Sequence, residues 1–137
     1  MTILESVQAA GRNTLIEHLG IRFEVAEPNR MVAVMPVEPR THQPAGYLHG
    51  GANVALAETL ASTGGFLNID PARQSVFGLE INANHIRGKR TGFVRGEATL
   101  LHKGRSTMVW QIFIRDEAGN LISVCRCTLA ILDRPTG

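Results

Sequence analysis

Apolar side chains near the start of the chain recur at helical intervals, at Leu4, Val7, Ala10, Leu15 and Leu19. This spacing predicts a short amphipathic helix from about Leu4 to His18, interrupted at Gly11 and stopped by Gly20. The period then shortens to that of a strand. Ile21, Phe23 and Val25 alternate with charged positions, Pro28-Asn29 turns the chain, and Met31 to Val37 reads as the hairpin partner. Glu38 to Tyr47 carries Pro39, Pro44 and Gly46 and reads as a loop.

A nearly all-apolar segment from about Gly50 to Leu67 follows, and a helix apolar on almost every side is normally buried. After Pro71 the pattern changes to strands: Ser75 to Ile86, Thr91 to His102, Arg105 to Arg115 and Leu121 to Leu132 are long β-branched or apolar runs. Their breaks, Gly88 to Gly92, Lys103-Gly104 and Asp116 to Asn120, have lengths suited to antiparallel hairpins and predict a four-strand meander. The economical arrangement is an α+β domain in which a curved antiparallel sheet wraps around the central apolar helix. No repeat, low-complexity tract or linker divides residues 1–137, so one domain is expected.

Composition agrees with a globular chain. At 137 residues it is long enough to bury about two-thirds of its unfolded surface. A net charge of +2 gives no argument for nucleic acid or membrane partners. No apolar stretch of about eighteen residues is present to span a bilayer, and Glu5 with no basic run before it argues against a signal peptide, so a cytoplasmic setting is expected. Cys125 and Cys127 flank Arg126 in a strand-like run and so share one face. That arrangement suits reduced packing residues rather than a disulfide, a zinc site or a catalytic thiol. No glycine motif for a nucleotide cofactor is present.

Glu58 is the one acidic or basic residue between His49 and Asp70. At three and four positions either side stand Val54, Ala55, Ala61 and Ser62, so no cation neutralises it along the helix. On one reading it shares a narrow polar stripe with Ser62 and Asn53 and meets water or an Arg from elsewhere in the chain. On the other it is a base or nucleophile at the edge of a pocket. The approach to the helix favours the second. Pro44 to Leu48 is turn-rich, and His49-Gly50-Gly51 then opens the helix with backbone N–H groups that a ligand can approach at the positive end of the dipole. Eight helical residues separate Gly50 from Glu58, about 12 Å along the axis, whereas a reacting carbonyl needs donor and nucleophile each within roughly 3 Å. Two copies crossing antiparallel near Val54 would bring the carboxylate of one beside the glycines of the other, giving a homodimer with shared sites.

The run Thr41-His42-Gln43-Pro44-Ala45-Gly46-Tyr47-Leu48-His49-Gly50-Gly51-Ala52, with Ala57-Glu58-Thr59 and Leu79-Glu80-Ile81-Asn82-Ala83-Asn84-His85, resembles the hotdog-fold acyl-CoA thioesterases, most closely their PaaI-like branch. The resemblance extends from about Leu19 to Leu132. It implies hydrolysis of an acyl-CoA thioester, or of an acylated carrier protein, without metal or cofactor, by dimers that often pair into tetramers. By position Glu58 resembles the catalytic carboxylate, Gln43 and His49 thioester-pocket residues, and Gly50 or Gly51 the backbone donor to the thioester oxygen. Ser62 and His85 resemble supporting pocket residues. Ala45 stands where similar proteins often carry Phe, and Tyr47 where they carry an aliphatic residue, so the acyl pocket is expected to be reshaped.

His85 follows Leu79, Ile81 and Ala83 on the apolar side of its strand and is expected to face the helix. Arg87, Lys89, Arg90, Lys103 and Arg105 lie in or beside strand connections and are candidate partners for the phosphates of CoA. The competing functions are a non-catalytic acyl-CoA-binding hotdog oligomer and a hotdog hydratase or dehydratase, whose usual Asp/His pairing is not evident.

Overall fold

The structure, a computed structural model, describes residues 1–135. The predicted lead-in helix is two helices, α1 (Ile3–Ala10) and α2 (Leu15–His18). Thr2 and Glu5 form a reciprocal capping box at the start of α1. Thr14 caps α2 by accepting from the Ile16 N–H at 3.2 Å. That second cap, with Asn13 at φ 61°, explains why the helical spacing does not continue through residues 11–14.

The strands are β1 (Arg22–Glu27), β2 (Arg30–Pro36), β3 (Gln74–His85), β4 (Phe93–Lys103), β5 (Thr107–Arg115) and β6 (Leu121–Asp133). They form one antiparallel sheet in the order β1-β2-β4-β5-β6-β3. Every predicted strand exists, and β4, β5 and β6 form a meander as expected, but β3 does not join it beside β4. Pairing of β3 with β6 sends the chain from the sheet edge across to β4, beside β2. Residues 86–92 are therefore a crossing and not a hairpin turn. They are tied to the loop before the long helix, because Lys89 C=O accepts from Leu48 N–H at 2.7 Å.

That helix, α3 (Gly50–Phe66), lies on the concave face of the sheet. Leu56, Ala57, Leu60 and Ala61 are fully buried in the core with Met31, Trp110, Ile112 and Leu129. Small residues permit the close approach: a β-carbon on Gly64 would stand 2.5 Å from the Trp110 ring, and one on Gly65 2.4 Å from a Leu129 methyl. The helix is not covered on every side as its composition suggested. Val54, Ala55, Glu58, Thr59, Ser62 and Thr63 are only half-buried and form an open face beside β3.

The outer edge of β3 is unpaired in the single chain, and Phe77, Leu79 and Ile86 are 59%, 62% and 58% exposed along or just beyond it. The strict alternation expected through Leu79 fails because a β-bulge lies between Gly78 and Glu80. Val76 packs toward the core before the bulge, Ile81 and Ala83 do so after it, and Leu79 is the extra, exposed residue.

Candidate active site

Two neighbourhoods on α3 hold the residues singled out from the sequence. The first is built around the helix start. Residues 41–48 form a closed loop: Gln43 N–H donates to Tyr47 C=O at 2.8 Å, and Gly46, at φ 84°, donates back to Gln43 C=O at 2.9 Å. His49 N–H then donates to Thr41 C=O at 2.8 Å, which sets the direction in which α3 begins. The His49 imidazole caps the helix, its Nδ1 accepting from Gly51 N–H at 2.7 Å. Gly51 N–H is thereby committed to the cap, while Gly50 N–H makes no hydrogen bond among the described residues.

Gln43, Gly50 and His85 line one cavity of about 300 Å³ together with Tyr47 and Asn53. The His85 ring lies against Gly50, and its Nδ1 is 3.2 Å from the buried Ser123 Oγ, which also donates to Asn84 C=O at 3.3 Å. His85 thus faces the helix as its position in the strand predicted. Gln43 Oε1 accepts from Ala45 N–H, which leaves its NH₂ group without a partner among the described residues.

Two side chains here were not identified as site residues from the sequence. Asn53 is only 4% exposed, and its Oδ1 has no hydrogen-bond partner among the described residues. It does not share a stripe with Glu58 and Ser62, because three helical residues from Gly50 bring it under the helix start. Its signal was a lone amide in an apolar helix, a group that needs a partner once buried. Ser123 sits in an apolar strand of β6 and carried no such signal.

The second neighbourhood surrounds Glu58. Its carboxylate rests over the bulged strand: a β-carbon on Gly78 would lie 2.8 Å from Oε2. Glu58 takes part in none of the four ion pairs among the described residues, which join Arg30 to Glu97, Arg40 to Glu38, Lys89 to Glu117 and Arg95 to Glu24. The buried Cys127 thiol is pushed up to about 12 by burial, with the carboxylates of Glu58 and Glu80 and the neighbouring Cys125 adding to the effect. Cys125 is raised by burial as well, and both cysteines are free and buried. Glu58 and the Gly50 cavity are on the same helix but do not meet within one chain.

The five basic candidates are not brought together. Arg87, Lys89 and Arg90 lie near the start of α3, whereas Lys103 donates to Asn68 C=O at 2.8 Å, just beyond its other end. Arg105 is on that far turn too. Lys89 is held by Glu117 at 2.6 Å with its side chain only 15% exposed. Arg90 donates to Tyr47 Oη at 2.8 Å and stacks 4.3 Å over the ring. Tyr47 is therefore fixed by the crossing segment.

The sequence model described as Thioesterase superfamily matches residues 45–123, more than half of the chain, and this span contains Gly50, Glu58, Gly78 and His85. The chain belongs to the thioesterase superfamily. This thioesterase is 49% identical over 129 residues to the 1,4-dihydroxy-2-naphthoyl-CoA hydrolase of Escherichia coli, covering 94% of each chain. It is 46% identical over 129 residues to the proofreading thioesterase EntH of Klebsiella pneumoniae, covering 94% of its own length and 93% of that relative. Its fold matches the crystal structure of a mutant of thioesterase PA1618 from Pseudomonas aeruginosa with a TM-score of 0.93 and 43% identity, covering 96% of this chain and 94% of that one.

Proposed function

We propose that this thioesterase hydrolyses an acyl-CoA thioester, with Glu58 as nucleophile or general base and Gly50 N–H, at the helix start of a second copy, as donor to the thioester oxygen. The observation that carries the reading is the placement of an unpaired carboxylate over Gly78, away from the Gly50 cavity of its own chain. An acyl carbonyl needs both, since negative charge develops on its oxygen as the carbon is attacked.

The open edge of β3 offers a way to unite them. Glu58 lies over Gly78 and Gly50 lies against His85, seven residues further along the same strand. Two β3 edges paired antiparallel about an axis near Ile81 and Asn82 would set Gly78 of one chain across from His85 of the other. Each Glu58 then faces the partner's Gly50, Gln43 and His85, and the pair carries two equivalent sites. Such pairing also covers Phe77, Leu79 and Ile86, an exposed apolar edge of the kind that otherwise invites association.

Within the shared site the Gln43 NH₂ group is a second donor for the oxygen, and His49 contributes by holding Gly51 and the helix start in place. Ser62, one turn after Glu58, lines the acyl side. Arg87, exposed and outside the four ion pairs, is the cation beside the Gly50 cavity best suited to a CoA phosphate. The names of the two relatives, a CoA-ester hydrolase and a thioesterase, favour turnover over a binding-only role.

Release of free thiol from a panel of acyl-CoA esters tests the assignment in the wild type and in Glu58→Gln. The substitution keeps the shape and removes the ionisable group, so turnover is expected to fall by at least a hundredfold while the oligomer persists. Equal rates would remove Glu58 from the chemistry. Absence of thiol release from every ester would favour a binding protein.

A further inference from the structure

We infer that the cavity between α1 and the C-terminal half of α3 receives the acyl group, and that it selects an extended aliphatic chain over a single aryl ring. The inference rests on the reading of Glu58 as the reacting carboxylate. The cavity has a volume of about 520 Å³ and is walled by Ile3, Val7, Ile16, Phe66, Leu67 and Val76.

Its position follows from two links to Glu58. Ser62 lies on the cavity wall and is one helical turn beyond Glu58 on the same face, about 6 Å along the axis. Val76, also on the wall, precedes by two residues the Gly78 on which the carboxylate rests. A carbonyl carbon held at Glu58 therefore has the rest of its acyl group directed toward this space, while the thiol side leaves toward the partner's helix start.

Its side chains suit an apolar acyl group. No charged side chain lines it, and the polar side chains are the hydroxyls of Ser6, Ser62 and Thr63. Ile3 and Phe66 are 56% and 48% exposed in the single chain, an apolar surface that a bound hydrocarbon would cover. Size then separates the apolar candidates. A cavity of about 150 Å³ already accommodates benzene, so one ring would occupy less than a third of this one. A longer chain gains contact with each added carbon until the space is full.

The α1 wall packs its half-buried Leu4 and Val7 against the core and is tied down by one polar side chain. Gln8 bridges to β1, its Nε2 donating to Ile21 C=O at 3.2 Å and its Oε1 accepting from Phe23 N–H at 2.8 Å. Burial of one methylene corresponds to a factor of about four, which sets the expected steepness of the chain-length dependence.

The test is kcat/KM for acetyl-, butyryl-, octanoyl-, decanoyl- and benzoyl-CoA in the wild type, in Ser6→Trp and in Ala10→Phe. Both substitutions place bulk into the cavity from exposed positions of α1. The wild type is expected to prefer octanoyl- to butyryl-CoA at least tenfold and to handle benzoyl-CoA less well than octanoyl-CoA. In each folded variant the octanoyl-to-butyryl ratio should fall at least tenfold. A flat chain-length profile, a preference for benzoyl-CoA, or an unchanged ratio in both variants would overturn the inference. Equilibrium binding of octanoyl- and butyryl-CoA to Glu58→Gln separates this from failure of the catalytic assignment. Tighter octanoyl binding by at least tenfold supports the cavity even if no ester is hydrolysed, and equal binding rules it out.

Discussion

A β-carbon on Gly50 would stand 2.8 Å from Nε2 of His85, so the start of α3 and the end of β3 meet as closely as they do only because residue 50 has no side chain. Gly50→Ala must push the imidazole away or tilt the helix start, and either change moves the one free glycine N–H of the pair. The variant is expected to fold and to lose at least tenfold in kcat/KM, with the factor of about 10² to 10³ seen when an oxyanion donor is removed outright as the upper bound. Adding His85→Ala should recover part of the loss. A double variant no better than the single one would show that this contact does not govern the position of the helix start.

Gly78 bears the same relation to Glu58. A methyl there would lie 2.8 Å from Oε2, but the carboxylate is the far end of a flexible side chain and can swing aside. Gly78→Ala should therefore leave the melting temperature within about a degree or two while lowering kcat at least tenfold. Unfolding that matches the loss of activity would make Gly78 a structural residue instead.

Most of the architecture was legible because it is written in periodicity: α3 and all six strands follow from spacing, and the unpaired Glu58 from the absence of cations near it. What escaped depends on partners distant in sequence. Gly78 is hidden by a bulge that no alternation pattern announces, and Asn53 separates from Glu58 because three residues along a helix turn a side chain well around the axis. The basic residues failed to gather for a topological reason. The crossing at residues 86–92 and the turn after β4 lie at opposite ends of β4, and hence near opposite ends of α3.

Those basic residues differ in availability. Lys89 is already neutralised by Glu117, whose own carboxyl is held below the usual range by that contact, whereas Arg87 is exposed beside the Gly50 cavity. Arg87→Ala should raise KM for acyl-CoA severalfold and weaken its dependence on salt, with kcat little changed. Lys89→Ala should act chiefly on stability. A larger KM effect at Lys89 would reverse the assignment.

The buried cysteines give a prediction independent of catalysis. With its thiol pushed up to about 12, Cys127 is almost wholly protonated at pH 8, and Cys125 is shifted in the same direction. Neither should react with a thiol-specific disulfide reagent in the native protein over minutes, and both should react once it is unfolded in denaturant. Rapid native labelling with loss of activity would place a thiol in the site.

The central claim, that each site is assembled from two chains, is tested most directly by mixing two inactive variants. Glu58→Gln and Gln43→Ala, each purified alone, are expected to be nearly inactive. Coexpressed in equal amounts, they should form mixed dimers in half of the population, each with one intact site, and regain about a quarter of wild-type activity. No recovery above the two variants alone, with mixed dimers shown to be present by mass spectrometry, would mean that Glu58 and Gln43 serve the same site from the same chain.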